Sequence, residues 1–188
     1  DSWKSQPDKG GGALANFFSH SFHYLEWLVG PITTINATLF RSPTDCRDGE
    51  TFAAMALEFA SGLGASAVLA TAAPLTHRHR LELFGDEGLL VVENDTEDYV
   101  HGFRLFRGSH GGDIRQVPIV DIAWDNGLDG RILAASSIAS RFLDWILLEK
   151  PARPNFGDGL RVQVLLDSAR RSHDLGHRVD VPHPSISE

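Results

Sequence analysis

At 188 residues, with 42% hydrophobic and 22% charged side chains, the chain carries enough apolar surface for one sizeable core and reads as an ordinary globular protein. A formal net charge of −8 and an isoelectric point near 5.5 exclude a nucleic-acid or anionic-membrane surface, since either needs clustered cations. The single cysteine, Cys46, has no internal partner and points to a reducing, cytoplasmic setting, which makes the Asn-x-Thr sequons at Asn36 and Asn94 chance matches.

After a polar lead, Gly10, Gly11 and Gly12 precede Leu14, Phe17, Phe18, Phe22, Leu25, Leu28 and Val29. That three-and-four spacing predicts an amphipathic helix closed by Gly30 and Pro31. The period then falls to two. Ile35, Ala37 and Leu39 alternate with polar neighbours, as do Ala53, Met55, Leu57 and Phe59, and again Tyr99, His101, Phe103 and Leu105. Turn signals at Asp48-Gly49, Ser61-Gly62 and Gly85 to Gly88 separate the runs, and most gaps are too short for helical crossovers. About six to eight mostly antiparallel strands follow, with Pro118 suiting an edge strand. Asp129 can cap a helix from Ile132 to Leu147 that stops before Pro151. A last helix runs from about Asp158 to Gly176, with a short strand at 178–181. The expected fold class is α+β, an open, mostly antiparallel or mixed sheet with helices on one face.

The string GGGALANFFSHSFHYLEWLVG at 10–30 aligns without a gap to GGGALLDLGIHLIDLLRWLLG, the usual form of the helix that opens the substrate domain of Gfo/Idh/MocA oxidoreductases. Trp3-Lys4 resembles that family's preceding Trp-Arg. LELFGDEGLLVVE at 81–93 and FGDGLRVQVLLDSARRSHDLGHRVDV at 156–181 are similar to its strand-turn-strand and its last helix and strand. The resemblance covers nearly the whole chain in the family's order. It implies that residues 1–188 are the C-terminal substrate-binding and oligomerisation domain, of glyceraldehyde-3-phosphate dehydrogenase-like fold. It also implies an N-terminal Rossmann domain, absent from this chain, that holds NAD or NADP, a sugar, inositol or other polyol as substrate, and homo-oligomers formed through the sheet face.

Oxidising a secondary alcohol needs a base beside the departing hydride, with a pKa near working pH, which suits histidine. Asn16 and His20 are four residues apart on one helix face, and His23 and Trp27 continue the stripe. The family places an aspartate and a histidine at the first two positions and completes the catalytic group with a lysine from the Rossmann half. His20 matches. Asn16 departs from the pattern, because an amide can orient a hydroxyl but cannot titrate. The resemblance therefore assigns proton transfer to His20 and substrate orientation to Asn16, with His77, His23 and Lys4 as substrate contacts. The departure at Asn16 also fits the family's NAD-dependent glycosidases, or a non-catalytic domain that binds a ligand or assembles subunits. A metal pair of His20 and His23 lacks a third ligand in the sequence.

Two strings mislead. Gly62, Gly64 and Ala67 spell G-x-G-x-x-A, yet only six residues separate Ala67 from Pro74, too few for a βαβ crossover, so a hairpin is expected there. Glu149-Lys150-Pro151 reproduces the family's catalytic tripeptide at the wrong place, where it ends a helix.

Overall fold

The structure, a computed structural model, describes residues 2–73, 77–98, 100–119, 129 and 131–183. The α+β expectation holds: antiparallel sheets are combined with helices. The chain divides into two compact units, residues 1–73 with 153–188, and residues 74–152.

In the first unit, a π-helical turn Leu14–Phe18 runs into α1 (Ser19–Val29), followed by β1 (Ile32–Phe40), β2 (Phe52–Phe59) and β3 (Gly64–Ala70). Residues of α3 (Phe156–Leu175) and β8 (Val179–Asp180) complete it. Its antiparallel sheet has the order β3-β2-β1-β8, so the end of the chain returns to pair with β1. Period-two alternation puts Ile35, Ala37 and Leu39 of β1 and Ala53, Met55, Leu57 and Phe59 of β2 into the core. Leu165, Leu166 and Ala169 of α3 are buried with them, and α3 lies against β1. Leu14, Phe18, Phe22 and Leu25 supply the buried stripe of the first helix, with the Phe18 and Phe22 rings edge to face at 4.8 Å, whereas Phe17 and Leu28, expected on that stripe, fall outside its arc and are exposed.

Because β8 spans two residues, most of that edge of β1 has no strand beside it. Side chains of α3 take its place. The Ala37 amide donates to the Ser172 hydroxyl at 2.9 Å, the hydroxyl donates to the His177 carbonyl at 2.8 Å, and the Leu39 amide donates to His173 Nδ1 at 3.3 Å. Ser172 is completely buried, so Ser172→Ala strands a donor and an acceptor. The expected cost is about 1–3 kcal/mol, readable by denaturant unfolding, and a loss below about 0.5 kcal/mol would show that water replaces the hydroxyl.

The second unit holds β4 (His79–Gly85), β5 (Gly88–Asn94), β6 (Arg104–Ser109) and β7 (Ile114–Val117) in sequential antiparallel order, and α2 (Arg131–Leu148). β7 is an edge strand, and Pro118 falls just beyond it. Asp129 caps α2 as expected, its carboxylate accepting from the Arg131 amide at 3.0 Å. The strand expected around Tyr99, His101 and Phe103 begins only at Arg104; Tyr99 itself lies outside the described residues. The reason is competition from side chains. Buried Asn94 donates to the Asp98 and His101 carbonyls and accepts from the Thr96 amide, while Asp98 accepts from the Val100 and His101 amides. These bonds commit the backbone to turns and hold the Asp98 carboxyl down at about 2, chiefly through the amides of His101 and Val100 and then the His101 ring. They also occupy the Asn94 amide of the second sequon.

Both misleading strings resolve as hairpin and helix end. Gly62, at φ +83°, sits in the tight turn between β2 and β3, and Glu149 to Pro151 follow the last residue of α2. The last helix starts at Phe156, two residues before Asp158, with Asn155 as its cap: a capping box pairs the Asn155 side chain with the Gly157 and Asp158 amides and the Asp158 carboxylate with the Asn155 amide. It ends at Gly176 in the left-handed region.

Candidate functional site at the head of the first helix

Gly11 and Gly12 stand where three chain segments meet with almost no space between them. A Cβ on Gly11 would stand 2.4 Å from the Trp3 carbonyl oxygen, and one on Gly12 would stand 2.3 Å from the Glu50 carboxylate. Gly10 and Gly12 also adopt φ of +78° and +111°, conformations that glycine reaches without strain.

The polar lead is built into this junction. Residues Trp3–Ser5 and Pro7–Lys9 form two short 3-10 turns, and the Gly12 and Gly11 amides donate to the Lys4 and Gln6 carbonyls at 2.8 and 2.9 Å. Lys4 is thus anchored through its own carbonyl while its side chain is exposed. The Gly49 amide donates to the Ser5 carbonyl, tying in the loop before β2.

Glu50 was invisible as a site residue in the sequence. Its main-chain carbonyl accepts from the Ala13 amide and its carboxylate from the Leu14 amide, both at 2.9 Å, so it meets the unpaired amides and the positive end of the helix together. The only local signal is an acidic residue after an Asp-Gly turn, and nothing short-range places it beside a helix 36 residues earlier.

The predicted stripe lies off the buried face. Leu14, Phe18, Phe22 and Leu25 point into the core; Asn16 and His23 are half-buried; His20 and Trp27 are exposed, Trp27 to 79%. The wider π turn, a geometry frequent at functional sites, leaves Asn16 on the outer side. Asn16 carries the most structural information: Nδ2 donates to the Lys4 and Gly12 carbonyls, each at 2.7 Å. The structure therefore joins Asn16 and the Lys4 backbone at one junction that also holds the start of the helix carrying His20 and His23. His77 belongs to the second unit, just before β4, where its Nε2 lies 3.6 Å from Glu97. Of the second unit's histidines, His79 is held below its usual range by burial, and its ring meets Phe103 edge to face. Among the described residues no group of three or more His, Cys, Asp or Glu side chains is arranged to hold a metal ion, and no helix is long and apolar enough to cross a membrane.

Residues 1–91, which contain this junction, match the GFO/IDH/MocA C-terminal domain. Over that stretch the chain is similar to this family. An uncharacterized oxidoreductase of Synechocystis sp. is 29% identical over 195 residues, an alignment covering 96% of this chain and 52% of the relative. The Gfo/Idh/MocA fold extends over essentially the whole chain. Levoglucosan dehydrogenase in complex with NADH superposes with a TM-score of 0.76 at 22% identity, covering 98% of this chain and 54% of that one. An oxidoreductase domain protein from Kribbella flavida gives 0.78 at 20% identity, covering 97% and 54%. Aldose-aldose oxidoreductase from Caulobacter crescentus, solved with glycerol, gives 0.76 at 20%, covering 96% and 51%. The chain spans about half the length of the curated relative it matches.

The described strands are all antiparallel, so these residues contain no βαβ unit with which to cradle a dinucleotide. They do not fit NAD or NADP by themselves.

Proposed function

We propose that the chain is the substrate-binding part of a cytoplasmic NAD(P)-dependent oxidoreductase acting on a sugar, inositol or related polyol. The observation that carries this reading is the helix head: within the stretch that matches the family, His20 and Asn16 keep the outer side of a helix whose start is fixed by Glu50 and the glycines. The nicotinamide, held by a Rossmann domain outside the 188 residues, would supply the hydride chemistry. This chain's own residues bind and orient the polyol and handle its proton. His20, exposed and off the packed stripe, is the group that takes the hydroxyl proton. Asn16 keeps Oδ1 as an acceptor that can orient a substrate hydroxyl. His23, Lys4 and His77 are proposed as further substrate contacts.

Assembly as a homo-oligomer is part of the same proposal. The sheet face of β1 to β3 turned away from the core carries Phe40, Phe52, Ala54, Ala56 and Val68, with Phe40 and Val68 more than half exposed. A broad, small-residue face of this kind suits burial against a second copy. Sedimentation of the intact protein is expected to give a dimer or larger species, and a monomer at every concentration would remove this element.

The full-length protein should reduce NAD+ or NADP+ with at least one member of a panel of free sugars, inositols and anhydrosugars. Binding of a polyol without nicotinamide reduction would overturn the dehydrogenase reading. Release of an aglycone from glycosides in the presence of NAD+ would move the protein to the glycosidase reading.

A further inference from the structure

We propose that Asn16 is a positioning residue: its amide nitrogen clamps the Trp3–Ser5 turn onto the helix head, fixing where Lys4 leaves the backbone, and only its Oδ1 is left for a ligand. The ligand half of this statement rests on the oxidoreductase reading. The clamp half does not.

Both partners of Nδ2 are main-chain carbonyls, which can only accept, so the nitrogen and not the oxygen must face them. Each of these carbonyls is shared. The Lys4 carbonyl also accepts from the Gly12 amide at 2.8 Å, and the Gly12 carbonyl also accepts from the Asn16 amide at 3.1 Å. Two oxygens thus meet four N–H bonds, and both protons of the Asn16 amide are used. The contact is close as well as saturated, since even a methyl group on Gly11 would collide with the Trp3 and Lys4 carbonyls.

An aspartate in the same place has a different chemistry. An ionised carboxylate would set acceptors against two carbonyl oxygens, and a protonated one would offer a single donor where two are needed. The junction seen here therefore requires an amide. A consequence follows for the proton. An amide at position 16 takes none, so of this pair only His20 can accept the substrate's hydroxyl proton, and Oδ1 recognises a neutral hydroxyl through acceptance alone.

The test uses the full-length protein. In the unmodified protein, NMR should show both Asn16 side-chain amide protons exchanging with water more slowly than those of exposed asparagines; exchange at the exposed rate would overturn the clamp without any variant being made. In Asn16→Ala, backbone exchange at Gly12 is expected to rise about tenfold or more, the scale for losing two such hydrogen bonds. In Asn16→Asp the same rise should appear at neutral pH and shrink as the pH falls and the carboxyl gains its one donor, a recovery that Asn16→Ala cannot show. Neutral-pH protection in Asn16→Asp equal to that of the unmodified protein, together with faster polyol oxidation, would mean that Asn16 is a lost acid and not a clamp. Turnover separates the two layers. With a polyol that the enzyme oxidises, Asn16→Ala should raise KM more than it lowers kcat; a fall in kcat alone would overturn the orienting role. Exchange behaving as expected in a protein that oxidises no polyol would leave the clamp standing and sink the oxidoreductase reading.

Discussion

Arg161→Met is expected to lower the stability of the protein by about 2–4 kcal/mol, a loss between that of an exposed ion pair and that of a fully buried one. The guanidinium of Arg161, on α3, donates through Nε and Nη2 to the Glu26 carboxylate of α1, through Nη2 to the Ile32 carbonyl at 2.7 Å, and through Nη1 to the Pro182 carbonyl at 2.8 Å. Glu26 also accepts from the Ile32 amide at 2.8 Å. One planar cation therefore fastens two helices, the first residue of β1 and the segment after β8, with both side chains less than a fifth exposed. Methionine keeps much of the volume but leaves a poorly solvated carboxylate and two bare carbonyls. Lysine should recover only part of the loss, because a single ammonium cannot reach the three acceptors in the geometry of a fork. Thermal and denaturant unfolding of the purified variants measure this directly, with a shift of about 5–15 °C in Tm expected for a chain of this size. Arg161→Met combined with Glu26→Leu should cost less than the sum of the two single changes, since the second removes the charge that the first strands. A loss below about 1 kcal/mol for Arg161→Met would show that solvent carries the charge and that the fork holds nothing together.

The ends of elements were legible in the sequence because local chemistry sets them. Gly30-Pro31 closes α1, Gly62 turns β2 into β3, Gly85 to Gly88 reverse β4 into β5, and Gly176 ends α3, all as glycine and proline require. The strands in the core followed from period two. Where side chains compete with the ladder, period two misleads: Asn94, Thr96 and Asp98 draw the backbone at 95–98, 100 and 101 out of the strand, although His101, Phe103 and Leu105 alternate. The partition of eight strands into two four-stranded sheets, and the return of β8 to β1, depend on contacts between residues far apart in the chain, and no spacing announces them.

The candidate site divides in the same way. His20 and Asn16 were legible from an aligned helix, and their outward placement followed from the apolar stripe opposite them. What the amide of Asn16 does was not legible, because its partner is the Lys4 carbonyl twelve residues away, reached only where Gly11 lets the backbones touch. Glu50 was hidden for the same reason. A residue that serves the site through a main-chain contact carries no mark in its own neighbourhood, whereas a glycine run marks the close approach without saying what approaches.

His20→Ala in the full-length protein is expected to lower turnover on a polyol about a hundredfold, the usual scale for losing general base help, while leaving KM within a few-fold. The split follows from the chemistry. On the proposed function, hydroxyl binding falls to Oδ1 of Asn16 and the other contacts, whereas the proton leaves the hydroxyl only in the transition state, so the imidazole would act there more than in the bound ground state. Stability is expected to move by no more than about 0.5 kcal/mol, because the side chain is exposed and off the packed stripe of Leu14, Phe18, Phe22 and Leu25. That separation gives the test its force: a large loss of turnover with unchanged unfolding cannot come from a damaged fold. Unchanged turnover would take His20 out of the chemistry, and a matching loss in His23→Ala with none in His20→Ala would move the base one turn along the helix to the half-buried ring.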